Sequence, residues 1–169
     1  MKRFFAIFAV LSFLLTGCAG SPSSSIVLPP CFNSEAEITV GDTAYGVYLT
    51  RYAPGCWQVE LNQPAAVKGL LFTVKDGGTE VSYDGLRFTF DTSRFPVGSV
   101  VAASIDSLDR LFASPIEAIE GEEQCLAAGK IGEESYTLSL SKTMIPQKLE
   151  LADKMTIEFL SFDVIQTES

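Results

Sequence analysis

Histidine is absent from the 169 residues of this sequence. Histidine is the commonest general base, the usual partner of a nucleophilic Ser or Cys, and the commonest metal ligand. The sequence also contains no recognised nucleophile motif and no Gly-rich phosphate loop. Catalysis by Asp, Glu, Lys or Tyr stays open, but we expect a protein that is not an enzyme and that needs no cofactor.

Basic residues are scarce, since 12 Lys and Arg stand against 21 Asp and Glu. Without a basic patch to meet phosphate backbones, nucleic acid is not expected as a partner. One acidic cluster could supply the carboxylate oxygens that Ca2+ prefers, but its spacing matches no compact loop. We expect it to be a solvated face rather than a metal site. Its members are Glu117, Glu120, Glu122, Glu123, Glu133 and Glu134.

The N-terminal apolar run is too short to cross a bilayer as a helix, which needs about 20 residues. The run 4–15 has 12 residues broken only by Ser12, follows a basic pair at 2–3 and leads into small residues at 16–17. A basic start, an apolar middle and a small-residue end are typical of a cleavable export signal. We therefore expect residues 1–17 to be a signal peptide, which leaves 169 − 17 = 152 residues.

The tetrapeptide Leu15-Thr16-Gly17-Cys18 resembles the lipobox of bacterial lipoproteins. The resemblance implies that Cys18 receives a diacylglyceryl thioether, becomes the new N-terminus after cleavage and is then N-acylated. Two or three acyl chains anchor a protein stably, at about 0.8 kcal/mol per buried CH2, where one chain is marginal. The alternative is an ordinary secretory signal followed by an unrelated cysteine.

The stretch AGSPSSSIVLPP, residues 19–30, is rich in Ser and Pro and carries no charge. That composition is typical of a spacer. We therefore expect residues 18–33 to be a lipidated N-terminus and linker, and residues 34–166 to be a single domain. Ala19 is not the aspartate that commonly retains lipoproteins at an inner membrane. The resemblance thus implies a lipid anchor in the outer leaflet of the cell membrane, or in the outer membrane of a cell with two membranes.

Cysteines are few, and once Cys18 is acylated an odd number remains: Cys31, Cys56 and Cys125. Cys31 precedes the first predicted strand and Cys56 begins the third, so both are expected at the same end of the sheet. A Cys31–Cys56 disulfide is one hypothesis. The alternative is that all three are small buried hydrophobic residues.

Most of the chain after residue 34 shows the period-two alternation of half-buried β-strands. The clearest signal is three strands joined by Asp76-Gly77-Gly78 and Asp84-Gly85, because Asp-Gly favours hairpin turns that need positive φ. A change of apolar phase near Phe159 predicts a β-bulge. The expected strands include 35–40, 56–62, 70–75, 79–83, 86–90, about 115–120, 123–129, 135–141, 147–151 and 154–165.

One segment has helical periodicity instead. Residues 99–114 place apolar side chains at i, i+4, i+7 and i+11, and Ser99 is a candidate N-cap. About eleven antiparallel strands must cover their apolar face, and this is the one helix available to do so. The sequence predicts a mainly β (α+β) incomplete barrel whose concave face the helix plugs. The plug residues are Val101, Ile105, Leu108 and Phe112.

A strand meander of this length interrupted by one helix resembles the half-barrel of LolA/LolB-like lipoprotein carriers and related lipid-binding lipoproteins. More narrowly, residues 55–88, with a Trp-containing strand, a Gly-Leu-x-Phe strand and a Tyr-x-Gly-Leu strand, are similar to a pattern in small lipoproteins of Gram-positive, clostridial-type anaerobes. The resemblance implies a membrane-anchored binder of a lipid or other hydrophobic ligand, with no residue role carried over. The alternative is a non-catalytic envelope module, structural or binding a protein partner, with a filled core.

The two alternatives differ in what the concave apolar face does. In a binder, helix and sheet separate to admit an acyl chain. In an interaction module, the same side chains form a dry core. The candidate lining residues are Trp57, Val59, Leu61, Phe72, Val74, Phe88, Phe90, Leu138, Leu140, Met155, Ile157 and Phe159.

Overall fold

The computed structural model describes residues 23–88, 96–152 and 154–166, and these contain thirteen strands and one helix. The helix, α1 (Pro96–Leu111), lies between β7 and β8 in the chain. The strands are β1 (Ser23–Ile26), β2 (Phe32–Val40), β3 (Thr43–Ala53), β4 (Cys56–Leu61), β5 (Leu71–Lys75), β6 (Gly78–Tyr83), β7 (Leu86–Phe88), β8 (Ile116–Glu120), β9 (Cys125–Ile131), β10 (Glu134–Leu140), β11 (Pro146–Leu151), β12 (Met155–Phe159) and β13 (Asp163–Val164).

All thirteen strands belong to one antiparallel sheet that does not close. Its order is β1-β8-β9-β10-β11-β12-β2-β3-β4-β5-β6-β7, with β13 beside β2. Two meanders, β2–β7 and β8–β12, therefore meet where β12 pairs with β2, at Met155↔Val40 and Phe159↔Ala36. The predicted half-barrel with a single helix is confirmed, with β1 and β7 as the edges of the described sheet.

The two Asp-Gly turns form as predicted. Asp76 and Gly77 have φ of 52° and 76°, and Asp84 and Gly85 have φ of 48° and 79°. Positive φ at both central residues is the type I′ pattern, whose twist matches that of the flanking strands. These turns fix the register of β5, β6 and β7.

The helix begins earlier than predicted, at Pro96 rather than Ser99. Proline suits the first helical turn because its missing N–H would have no partner there. Ser99 is not the N-cap. It lies inside the helix, and its Oγ donates a hydrogen bond to the carbonyl of Pro96 at 2.7 Å. The helix ends at Leu111, so Phe112 lies one residue beyond it, where its N–H still bonds the carbonyl of Leu108 at 2.9 Å.

The bulge predicted near Phe159 is confirmed. The N–H groups of Leu160 and Ser161 both donate to the carbonyl of Glu35, so two residues oppose one. The strand predicted over 154–165 is accordingly divided into β12 and β13. Beyond the bulge, Val164 pairs with Phe32.

The linker predicted for 18–33 is wrong from Ser23 onwards. Residues Ser23–Ile26 pair with Ile116–Ile119 of β8, and Leu28 is fully buried. Ser-rich composition favoured a spacer, but hydrogen bonds to a strand more than 80 residues away satisfy this backbone. The folded domain therefore includes residues from Ser23 onwards.

The predicted Cys31–Cys56 disulfide is not formed, since the three described cysteines are free thiols. Strand β3 lies between the strands that these two residues flank, which separates them by two strand spacings, about 9–10 Å. A disulfide needs Cα atoms about 4.4–6.8 Å apart. Cys31 instead donates its thiol hydrogen to the carbonyl of Tyr52 at 2.9 Å. Cys31 and Cys125 are buried and Cys56 is half-buried.

Candidate functional site

The concave face of the sheet and the inner face of α1 share one apolar core. All four predicted plug residues are buried in it, Leu108 completely. Nine of the twelve predicted lining residues belong to the same core: Trp57, Val59, Leu61, Phe72, Leu138, Leu140, Met155, Ile157 and Phe159. The alternation therefore identified the correct face, and the structure shows that face covered by the helix.

Three of the predicted lining residues lie elsewhere. Val74 is only half-buried at the periphery of the core. Phe88 is 44% exposed because β7 is an edge strand that α1 does not cover. Phe90 lies outside the described residues, as does the predicted lipidation site Cys18.

The C-terminal end of α1 is held by a polar network around Asp109. Its carboxylate accepts hydrogen bonds from Arg51 Nε at 3.0 Å, Arg51 Nη2 at 2.8 Å, the N–H of Gly55 at 2.9 Å and Trp57 Nε1 at 3.0 Å. Arg51 is fully buried, and its Nη1 also donates to the carbonyl of Pro30 at 2.7 Å. A buried charge is tolerated when it is paired and hydrogen-bonded in this way. We call this region the Asp109 end.

Aromatic rings close the core at the Asp109 end. Phe32 stacks on Phe112 and Phe162, with ring centroids 5.1 and 4.5 Å apart, and meets Trp57 edge-on at 5.7 Å. The Arg51 guanidinium lies 5.5 Å from the ring centroids of both Trp57 and Phe112. Cation–π attraction therefore adds to the ion pair. Several direct contacts therefore join the helix to the sheet at this end, where 23% of the Asp109 side chain is exposed.

The N-terminal half of α1 borders an open groove of about 340 Å³. The groove lies between the helix and the ends of β2 and β11 and the start of β12, so it is at the other end of the sheet. We call this region the groove end. Five lining residues are apolar, Val40, Val100, Ala103, Leu151 and Met155, and four are polar, Ser99, Ser107, Glu134 and Lys154.

The sequence of α1 explains why the gap lies at this end. The buried residues of its first half are Val97, Gly98 and Val101, whereas the last turn buries Leu108 and Leu111. Glycine and valine residues fill less of the space between helix and sheet than leucines do. Gly, Ser and Val also have lower helix propensity than Leu. The first half of α1, PVGSVVAA, therefore presents smaller side chains to the sheet and is intrinsically weaker as a helix.

Polar groups surround the mouth of the groove. Lys154 Nζ pairs with the carboxylate of Glu134, and both side chains line the groove. A second recess of about 260 Å³ shares Leu151 and Met155 with the groove and is lined in part by Tyr136. Burial raises the pKa of the Tyr136 phenol above its ordinary value, so its hydroxyl is protonated at neutral pH. The groove thus offers a cation and an anion beside an apolar floor, and the phenol lies in the adjoining recess.

Neither a metal-binding cluster nor a membrane-spanning helix is found in the described residues. Across 23–88, 96–152 and 154–166, no group of three or more His, Cys, Asp or Glu side chains converges as a metal site would require. In the same part of the chain, α1 is neither long nor apolar enough to span a membrane.

Protein-family models and curated proteins supply no function for this chain. No protein-family model matches the chain. A search of curated proteins also returns no significant match. The function must therefore be inferred from the residues themselves.

Sequence reasoning missed the Asp109 network and most of the groove. Of the eleven predicted lining residues that the structure describes, only Met155 lines the groove. A signal for the network was present, because the alternation Val47, Leu49, Arg51 places a charged residue on the apolar face of β3. A charge at such a position requires a partner.

Proposed function

We propose that this chain is a membrane-anchored envelope lipoprotein whose half-barrel binds a lipid or another hydrophobic molecule at the groove end. The observation that carries the proposal is the apolar groove of about 340 Å³ beside the first half of α1. Small-molecule sites are mostly apolar recesses of about 300–1,000 Å³ with a few polar groups to orient the ligand. The groove is at the lower end of that range, which favours a thin ligand such as one acyl chain.

The packing of α1 suggests how such a ligand would enter. Ser104 is buried against β12, with its Oγ 3.1 Å from Met155 Sδ and 2.8 Å from the carbonyl of Val100. These polar contacts are weak or local, so the buried side chains of Val97 and Val101 are the main attachment of the first turns to the sheet. The Asp109 network would keep the last turn in place. A ligand displacing the first turns would then reach apolar side chains of the core.

The proposed anchor rests on the N-terminal sequence. The lipobox-like Leu15-Thr16-Gly17-Cys18 follows an export-signal pattern, and acylation of Cys18 would attach the domain to the membrane. The half-barrel with one helix agrees with the resemblance to lipid-binding lipoproteins. Nothing in this proposal requires catalysis, metal or cofactor.

A second candidate, a non-catalytic module with a filled core, is favoured by one observation. Trp57, Phe72, Leu138, Leu140 and Ile157 are completely buried beneath the helix. If α1 never moves, this core leaves no room for an acyl chain. The protein would then act through its surface, on an envelope partner.

Native mass spectrometry of the mature protein, released from membranes and exchanged into a volatile buffer without added lipid, tests the choice. We expect a co-purifying hydrophobic molecule on the wild type. Ala103→Trp places a large ring at the groove and should remove that molecule. Ala102→Trp is the matched control because Ala102 is exposed on the same helix and does not line the groove.

Retention of the same adduct by Ala103→Trp would contradict binding in the groove. Absence of any adduct from the wild type, together with no uptake of added oleic acid, would favour the filled-core module.

A further inference from the structure

We propose that the domain stands on a zwitterionic lipid surface on its Asp109 end, so that the groove opens away from the membrane. The contact is made by Val27, Ile145 and Val164, which we call the strap patch. The proposal rests on the acylation of Cys18 proposed above. It adds the orientation of the domain and therefore the side from which its ligand is exchanged.

The strap patch is a group of exposed aliphatic side chains. Val27, Ile145 and Val164 are 75%, 39% and 54% exposed, although all three are aliphatic. They surround one recess of about 250 Å³, whose other walls include Ile26, Pro29 and Phe162. Single exposed aliphatic residues need no explanation, but a contiguous group around a shared recess suggests a contact surface.

The length of the chain before β1 brings the patch close to the bilayer. Residues 19–22 are all that separates Cys18 from Ser23, the first residue of β1. A fully extended chain advances at most about 3.6 Å per residue, so these five steps span roughly 18 Å or less. An acylated Cys18 therefore holds β1 and the following strap, Val27–Pro30, at the membrane at high effective concentration.

The register of the sheet places the strap patch and the groove at opposite ends. Val164 pairs with Phe32 at the start of β2, and Ile145 precedes β11, which begins at this same end. Val40, which lines the groove, ends β2. Eight residue steps at about 3.3 Å put the groove roughly 26 Å from the patch along the strand.

The acidic side chains beside the strap patch favour a zwitterionic over an anionic lipid surface. Lys142 donates to the carbonyl of Gly121, so the turn containing Glu120, Glu122 and Glu123 lies next to the turn that carries Ile145. Anionic head groups would be repelled by these carboxylates. A zwitterionic surface carries no such penalty, which is why we assign the patch to neutral head groups.

The orientation has a functional consequence. A groove that lies roughly 26 Å along the strand from the membrane contact cannot take an acyl chain directly from the leaflet to which the protein is attached. The ligand must arrive from, and leave to, the aqueous side, carried by a partner or as a monomer. The protein would then receive or present a hydrophobic molecule without extracting it from its own membrane.

Tryptophan quenching by brominated lipid tests the proposal. Mature protein carrying Val27→Trp is reconstituted through its own acyl chains into phosphatidylcholine vesicles, with and without bromine on the acyl chains. The matched control is Leu86→Trp, because Leu86 is also a largely exposed aliphatic residue, 62% against 75% for Val27, and lies at the groove end. The native Trp57 is the sole tryptophan and is fully buried, so wild-type protein supplies the background.

We expect brominated lipid to remove most of the emission added by Val27→Trp and none of that added by Leu86→Trp. Ile145→Asp with Val164→Asp in the Val27→Trp protein should restore the emission. The orientation is overturned if brominated lipid quenches the two single variants to the same extent, including not at all, or quenches Leu86→Trp alone. An intact mass measured beforehand distinguishes failure of the anchor from failure of the orientation. A mass without acyl chains refutes the anchor, and with it the orientation. An acylated protein that shows no quenching refutes the orientation alone.

Discussion

The two ends of α1 differ in how they are attached to the sheet. At the Asp109 end, one carboxylate joins the helix to β3, β4 and the turn between them, and four aromatic rings pack together. At the groove end, the helix meets the sheet through valine and glycine residues and borders an open recess. The same 16-residue helix is thus fixed at its last turn and loosely packed at its first.

In the proposed function, the Asp109 end stabilises the fold and the groove end binds the ligand. Ligand sites are drawn from the less stable parts of a fold, because a ligand must displace whatever occupies its place. Without the Asp109 network, the last turn of α1 would lose its polar attachment to β3 and β4. With it, movement of the first turns leaves the half-barrel closed at the other end.

The largest expected effect comes from breaking the network. Asp109→Ala leaves Arg51 buried without a counter-charge, and loss of one partner of such a pair costs about 3–5 kcal/mol of unfolding free energy. Urea denaturation followed by circular dichroism measures this loss. Asp106→Ala is the matched control, three residues earlier on the same helix.

Asp106 forms an exposed i,i+4 pair with Arg110, which contributes about 0.5 kcal/mol or less. If the two substitutions destabilise the protein equally, the Asp109 end is not the fixed end of the helix.

A smaller effect is expected from apolar truncation, and it should again differ between the ends. Leu108→Ala removes a completely buried side chain and should cost about 2–5 kcal/mol. Val100→Ala removes a partly buried side chain that lines the groove, and alanine has the higher helix propensity. We expect a cost of about 1 kcal/mol or less for Val100→Ala. Similar losses in the two variants would show that the groove end is as well packed as the rest.

The sequence predicted those features that depend on neighbouring residues. Alternation identified the strands and the face they bury, Asp-Gly pairs identified two hairpin turns, and the change of phase near Phe159 identified the bulge. Each of these is determined within a few residues of the chain. The half-barrel follows from them because a sheet with one apolar face must curl and be covered.

Features that depend on distant pairing could not be read from the sequence. β1 lies in a Ser- and Pro-rich stretch and is a strand because β8 supplies its hydrogen-bond partners. The groove lies between the first half of α1 and the ends of β2 and β11 and the start of β12, and the pairing of β12 with the distant β2 brings these strand ends together. Asp109 lies off the apolar stripe of α1, and nothing local in the sequence shows that Arg51 lies opposite it.

Hydrogen exchange of the mature protein with and without oleic acid tests the central claim most directly. Backbone amides of residues 100–104, at the groove end of α1, are compared with those of residues 108–112, at the Asp109 end. We predict that 100–104 exchange faster in the free protein and become protected when oleic acid is bound, while 108–112 change little. Equal exchange at the two ends, or no protection of 100–104 by oleic acid, would contradict a helix that is fixed at one end and admits a ligand at the other.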